Sequence, residues 1–232
     1  MLKTIGQWIF PHTCCLCGQF SETDRDLCSV CWHLLPWITD RCYQCGVQLE
    51  SNKVSIRCES CVVSPPSFDR LCALFAYQPP LPKLISAFKF YQKLAYGKIL
   101  GELLADAILG QWYINTPLPE AIIPVPLHKK RLIKRGFNQS LELLWPLLKQ
   151  RKIPLILDEC FRSKNTRAQA KLSQEERQDN VKKAFQLKRV LPFEHVAIVD
   201  DVVTTGSTVN ALSRILKDSG IELVDVWCIG RA

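Results

Sequence analysis

No stretch of the 232-residue chain stays apolar for the roughly 20 consecutive positions that a membrane-spanning helix needs. The sequence therefore predicts a protein that does not itself span a membrane. No secretory leader is expected either: residues 1–12 hold a single lysine, a short apolar patch and no small-residue cleavage site. Thiols in such a chain are expected to stay reduced, as in the cytoplasm. After the apolar run at 196–199 the following loop lacks the lysine of a P-loop, which argues against nucleoside triphosphate hydrolysis. Cysteine, by contrast, is abundant, with twelve residues.

Eight of the cysteines fall within residues 1–61 as four Cys-x-x-Cys pairs: Cys14/Cys17, Cys28/Cys31, Cys42/Cys45 and Cys58/Cys61. The pairs are separated by 10, 10 and 12 residues, which suits hairpins whose turns each offer two thiolates to one ion. Two structural Zn2+ sites are predicted, since a catalytic zinc would show three protein ligands and an open position. Glycine follows Cys17 and Cys45, where a knuckle often requires positive φ, and this favours Cys14 over its neighbour Cys15 as ligand. Sequential pairing, with the first four cysteines on one ion and the last four on the other, is preferred, and an interleaved cross-brace stays open. A disulfide framework or redox dithiol fits four regular pairs less well. Complete cysteine sets leave no need for His12 or His33 as ligands, and Cys15, Cys72, Cys160 and Cys228 read as small buried apolar residues.

Charge is uneven. Of the formal +8, residues 1–64 hold five Lys/Arg against six Asp/Glu, leaving 25 against 16 for the remainder. Zinc held by four thiolates at each site would lower the total to about +4 and make the N-terminal part acidic. The basic surface belongs to the rest of the chain.

The run Ser-Pro-Pro-Ser-Phe-Asp at 64–69 stops regular structure and marks a boundary, so a double zinc-ribbon module over 1–64 and a second domain over 69–232 are expected. In the second domain, strands at 71–77, 121–126, 155–157, 196–199 and 223–229 alternate with helical patterns. These helices are expected over 81–109 with a break near Gly97 or Gly101, from Asn138 to about Gln150 with a kink or interruption at Pro146, after the Ser173/Glu176 capping box, and over 207–218. The last part reads as a βαβ unit. The fold class is therefore α/β, a doubly wound parallel sheet flanked by helices and preceded by the small four-cysteine module.

In VAIVDDVVTTGST (196–208), Asp200 and Asp201 stand at the carboxyl end of a buried strand, ahead of a hydroxyl-rich loop that opens a helix. Ligands of open parallel sheets bind at such strand ends. The backbone amides there, the hydroxyls of Thr204, Thr205, Ser207 and Thr208, and the positive helix end all suit a phosphate, and Gly206 lets the backbone approach it. The two carboxylates can take sugar hydroxyls or help hold Mg2+. A structural N-cap is the plainer reading of these residues.

The whole string, Val202 and Val203 included, resembles the phosphoribosyl-pyrophosphate (PRPP) signature of type I phosphoribosyltransferases. That resemblance implies a fold of the same type, with Asp200 and Asp201 on the ribose and PRPP bound together with Mg2+. By position it implies that Pro126, Leu127, His128 and Lys129 form the pyrophosphate loop, with Arg131 and Arg135 as further phosphate or DNA contacts. Arg167, Gln169 and Lys171 fall where such enzymes carry a mobile lid. From composition alone these two segments read equally as a solvated basic loop and a solvated linker.

Four Cys-x-x-Cys pairs, PVPLHKKRLIKRGFNQS at 124–140, Thr166-x-x-Gln169-x-x-Leu172 with its Arg177-x-x-Asn180-Val181-x-x-Ala184-Phe185 continuation, and VDDVVTTGST together resemble the ComF (GntX-like) family of bacterial competence proteins. The likeness runs over nearly the whole chain. It implies a cytoplasmic protein, at the inner face of the membrane, that joins zinc ribbons to a phosphoribosyltransferase domain and serves uptake of single-stranded DNA during natural transformation. Implied partners are PRPP, single-stranded DNA, and a competence helicase or inner-membrane DNA channel. Two functions follow: transfer of the phosphoribosyl group to a nitrogen acceptor, or a DNA-import protein that binds PRPP without consuming it. One departure bears on the first, because no base-recognition pattern is visible. The zinc ribbons stand where a base-recognising hood or a docking surface would be needed.

Overall fold

The computed structural model describes residues 12–50, 56–91, 93–162 and 185–232. Its first part is one motif built twice. In the first ribbon Thr13 bridges Phe20, the Gly18 amide donates to the Cys14 carbonyl (2.8 Å), and helix α1 (Ser29–His33) starts directly after Cys28. In the second, Arg41 bridges Gln48, the Gly46 amide donates to the Cys42 carbonyl (2.9 Å), and α2 (Glu59–Val63) starts directly after Cys58. Gly18 and Gly46 take φ of +75° and +68°, the left-handed turn a knuckle needs.

The rest is an α/β fold. Four parallel strands lie in the order β1 (Arg70–Ala76), β6 (Leu223–Arg231), β5 (His195–Val203), β2 (Ala121–Pro124). Parallel neighbours need crossovers, and helices supply them. Between β1 and β2 run α3 (Leu81–Phe90) and α4 (Leu94–Ala107), which continues into one wider turn (Ile108–Trp112). After β2 come the short helices α5 (Lys129–Arg135), α6 (Gln139–Glu142) and α7 (Trp145–Gln150), and a two-stranded antiparallel pair, β3 (Cys160–Arg162) with β4 (Phe185–Leu187). Helix α8 (Ser207–Asp218) joins β5 to β6.

Because helices cover both faces, the strands read as unbroken apolar runs rather than alternating ones. On one face Leu84, Phe88, Leu104 and Leu147 pack with Leu74, Val199 and Trp227, and Leu27, Leu35, Cys14, Cys28 and Cys31 of the first ribbon join this same cluster. On the other, Leu212 and Leu216 of α8 pack with Leu71, Ile198 and Val226. Each fully buried side chain of this size contributes about 1.5–3 kcal/mol. Asp225, buried at the amino end of the sheet, accepts from Arg70 (2.8 Å) and from the Tyr113 hydroxyl, and lies 3.1 Å from His195 Nε2.

Both sheet edges are covered. Beside β1, Trp37 bridges Phe75, the Ile38 amide donates to Leu74 (3.0 Å) and the Ala76 amide to Pro36 (2.9 Å). Beside β2, Leu155 bridges Ile122 and the Ile156 amide donates to Ile122 (2.9 Å).

Several elements differ from the sequence expectation. The helical stretch breaks between Phe90 and Leu94, while Gly97 and Gly101 lie inside α4. A Cβ at Gly97 would meet the Phe88 ring at 2.4 Å, and one at Gly101 the Leu143 carbonyl at 2.7 Å, so both glycines serve close helix packing. The expected strand at 155–157 shrinks to the one bridge at Leu155. Asn138 caps α6, accepting from the Ser140 amide, and the expected interruption comes slightly earlier, after Glu142, with Pro146 in the first turn of α7, where its missing amide costs nothing. Strand β5 continues through Val203, so Asp200 and Asp201 belong to the strand rather than to the loop. The helix expected after Ser173 lies outside the described residues. Among those described, no helix is long and apolar enough to cross a membrane.

Candidate functional site

The sulfurs of Cys14, Cys17, Cys28 and Cys31 lie within 4.8 Å of one another, and so do those of Cys42, Cys45, Cys58 and Cys61. The pairing is sequential. Cys17 and Cys28 sulfurs are 3.8 Å apart and those of Cys45 and Cys58 3.6 Å, against the edge of about 3.8 Å in a tetrahedron with Zn–S bonds of about 2.3 Å. Two complete thiolate sets of this size are structural zinc sites. Burial opposes ionisation of Cys14, but backbone amides of Cys28, Cys17 and Leu16 facing its sulfur bring the thiol down to about 6. Cys42 repeats the pattern at about 7, with amides of Cys45, Cys58 and Gln44. Cys15 joins neither set, and burial with the neighbouring Cys14 pushes it up to about 12. His12 pairs with Asp26 at 2.7 Å instead of reaching a metal.

At the carboxyl end of β5 the chain turns through Thr204–Gly206 into α8, with Gly206 at φ +77°. The first amides of a helix have no intrahelical partner, and here they border a recess of about 50 Å³ lined by Asp200 and residues 202–209. Thr204 and Thr205 are exposed, and Thr205 Oγ1 and Ser207 Oγ lie 2.8 Å apart.

The two adjacent carboxylates have different surroundings, as successive strand residues point to opposite faces. Asp201 is buried and its Oδ1 lies 2.8 Å from Lys89 Nζ, which descends from the end of α3. Asp200 is half-buried; its Oδ1 accepts from the Asp201 amide (2.9 Å) and faces the Ser140 hydroxyl at 3.5 Å. Burial, and then the charge on Asp201, push the Asp200 carboxyl up to about 7. Asp201 holds the direct ion pair with Lys89, and Asp200 feels the charges of Lys89 and Arg162.

Basic residues surround this pair. Pro126 and Leu127 follow β2 and lead to His128, which caps α5 by accepting from the Lys130 amide at Nδ1 (3.2 Å); Lys129 is exposed on the first turn. Arg131 and Arg135 are half-buried on the same helix. Arg135 donates to Gln139 (2.7 Å), lies over the Phe90 ring at 5.4 Å, and is drawn by the charges of Asp201 and Asp200, while its burial pulls the guanidinium pKa down. Arg167, Gln169 and Lys171 lie outside the described residues.

Four residues at this site were not singled out in the sequence, although Ser140 closes the segment 124–140. Lys89 is a lone cation between Phe88 and Phe90, and that placement on a packed helix was its one signal in the sequence. Ser140 and Arg162 reach Asp200 through tertiary placement alone. Arg231, at the end of β6, donates from Nε to the Cys45 carbonyl (2.8 Å) and from Nη1 to the carbonyls of Val203 (3.3 Å) and Thr204. It ties the second zinc knuckle to the loop that opens α8.

Residues 5–62 match the family model described as a double zinc ribbon domain. Over 228 residues the chain is 36% identical to Competence protein F of Haemophilus influenzae, covering 96% of this chain and 98% of that one. The chain belongs to the Competence protein F family. Another relative of this family member is DNA utilization protein YhgH of Escherichia coli K12, 34% identical over 232 residues and covering 94% of that protein. Competence protein ComFC of Streptococcus pneumoniae is 23% identical over 234 residues. Among solved structures, a glutamine PRPP amidotransferase from B. subtilis is similar over 57% of this chain and 25% of its own (21% identity, TM-score 0.37). A hypoxanthine phosphoribosyltransferase from Staphylococcus aureus is similar over 58% and 74% (12% identity, TM-score 0.37).

Proposed function

We propose that this family member binds PRPP with Mg2+ at residues 200–208 and single-stranded DNA on its basic surface, as part of DNA utilisation. The observation that carries the reading is the end of β5: a half-buried carboxylate, Asp200, beside the Asp201–Lys89 pair, followed directly by the amide-lined recess that opens α8. The recess takes the 5′-phosphate and Asp200 the ribose hydroxyls, while Lys89 holds Asp201 in place. The segment from Pro126 to Lys129 and helix α5 receive the pyrophosphate. Mg2+ fits this donor set through Asp200: burial and the charge of Asp201 raise its carboxyl to about 7, and a dication would ionise it. For DNA, Lys129, Lys130, Arg131 and Arg135 supply cations on one helix. The names of the relatives, which speak of competence and DNA utilization, support that part, and a helicase or inner-membrane channel component as partner belongs to the same proposal.

Titration calorimetry with PRPP and Mg2+ tests the site. Asp200→Ala is expected to weaken binding at least about tenfold without lowering the thermal melt, and unchanged binding would remove the assignment. Affinity for a single-stranded oligonucleotide should fall steeply with salt, and neutralising Lys129, Lys130, Arg131 and Arg135, four of the five cations of α5, should flatten the slope by about 3. Release of pyrophosphate with an added nitrogen base would extend the proposal from binding to phosphoribosyl transfer.

A further inference from the structure

Beside the phosphate recess lies a larger cavity, about 500 Å³, that the proposed PRPP site does not use. It is built from the second ribbon at Cys45, Ser60 and Cys61, from the connector at Pro65, Pro66 and Phe68, and from the outer face of α8. Its inner end is formed by Thr205, Gly206 and Ser207, the backbone that also borders the recess. Neither Asp200 nor Asp201 lines it, so it is not placed to hold an acceptor against the sugar carbon that those carboxylates would flank. A 5′-phosphate that ends in the recess, as in PRPP, would leave it empty.

We propose that this cavity takes a nucleoside joined through the phosphate held at residues 204–208, so that the loop can hold an internal phosphodiester of a single strand. The proposal rests on the phosphate-binding reading of that loop. Its volume falls within the roughly 300–1,000 Å³ of small-molecule sites. Its lining has the mixed character a nucleoside requires. Pro65, Pro66, Phe68 and Ile215 offer apolar surface for the faces of a base. Asn210 accepts from the Ser67 amide (2.6 Å) through Oδ1, which fixes the side chain and directs its NH2 donors to the edge of a base. Arg214 is exposed on the same wall, with no ion-pair partner among the described residues, and suits the next phosphate along the strand. The walls are tied together: Arg231 joins Cys45 to the loop, and the Ser67–Asn210 bond joins the connector to α8. On this reading PRPP and single-stranded DNA compete for one phosphate position.

The test uses the zinc-loaded full chain and three probes: PRPP with Mg2+, thymidine 5′-monophosphate, and the dinucleotide thymidylyl-(3′→5′)-thymidine. The dinucleotide, although it carries less charge, should bind about tenfold tighter than the monophosphate, and PRPP should displace it. Ala211→Trp, which fills the cavity from α8, should erase that gain and leave PRPP binding unchanged. Ser67→Trp fills it from the connector and serves if the first variant does not fold. A dinucleotide that binds no tighter than the monophosphate while PRPP binds normally overturns this proposal alone. Failure of PRPP itself to bind overturns the phosphate reading and this inference with it.

Discussion

In the first ribbon three of the four zinc-binding cysteines, Cys14, Cys28 and Cys31, sit within the apolar cluster that also holds Leu74 and Phe75, and Arg25 pairs with Asp106 of α4 at 2.7 Å. In the second ribbon Cys42 and Cys61 are buried yet belong to neither cluster. Its knuckle lies against Leu71 of β1, and its Cys45 carbonyl receives Arg231 beside the phosphate loop. Hydrogen bonding around the metal is nearly the same in both. The difference lies in what each presents to the sheet: the first is part of the core, and the second lines the larger cavity beside the loop that opens α8. One metal motif thus does two kinds of work, decided by the neighbours of the motif.

Removing a ligand from each ribbon separates the two most strongly. Cys31→Ser and Cys61→Ser should each lose one zinc ion by elemental analysis. A structural zinc contributes on the order of 10 kcal/mol, about the whole stability of a domain, so Cys31→Ser should abolish the cooperative melt. Cys61→Ser should keep a melt but lose most of its affinity for PRPP; equal losses of melting in both variants would erase the distinction. The second effect concerns pH. Asp200 has its carboxyl raised from 3.8 to about 7, so the folded state holds the proton more tightly than the unfolded one. That stabilisation is complete below about pH 4 and is lost as pH rises to about 7. Relative to Asp200→Asn, the wild-type chain should therefore lose up to about 4 kcal/mol across that window and then run parallel, with zinc content equal in both. Chemical denaturation at each pH would show it, and a constant difference throughout would mean that Asp200 is not shifted.

Glycine substitutions give a smaller and cleaner contrast. Gly18→Ala meets nothing within 4 Å and pays only for its left-handed backbone, about 1 kcal/mol. Gly46→Ala adds a Cβ 2.4 Å from Leu71 Cδ2 and 3.0 Å from the Leu71 carbonyl, for a total of about 2–3 kcal/mol by denaturant midpoint. Equal costs would mean that the second knuckle is not pressed on the sheet. Smallest in energy is Arg231→Ala. It should lower PRPP affinity about tenfold, leave both zinc ions bound and move the melt little; an affinity unchanged by calorimetry would show that the second ribbon does not position the loop.

What could be read from the sequence was local. The zinc sets rest on ligands separated by two residues within a turn, and the β5–α8 turn rests on an apolar run, two carboxylates and a loop of small residues. Each lies within a stretch of at most 20 positions, so neither required knowledge of the fold. Helix α8 lies where the periodicity places it, Ser207–Asp218. Features set by the order of strands were not legible. Arg231 and Cys45 are 186 residues apart in the chain, and Lys89 meets Asp201 only because the end of α3 packs over the end of β5. Gly97 and Gly101 misled for the same reason: a glycine that breaks a helix and one that admits a neighbouring ring look alike until the neighbour is placed.

The segment between the two ribbons covers the outer edge of β1, where Trp37 bridges Phe75 and the backbone of residues 36–38 takes up the free hydrogen-bonding groups of Leu74 and Ala76. This segment is held at both ends by metal-bound cysteines. A chain deprived of zinc would release it and present an open β edge with a large apolar face, a template on which another copy can pair. Zinc therefore also keeps the molecules apart, and metal depletion should be visible as association between chains as the fold is lost.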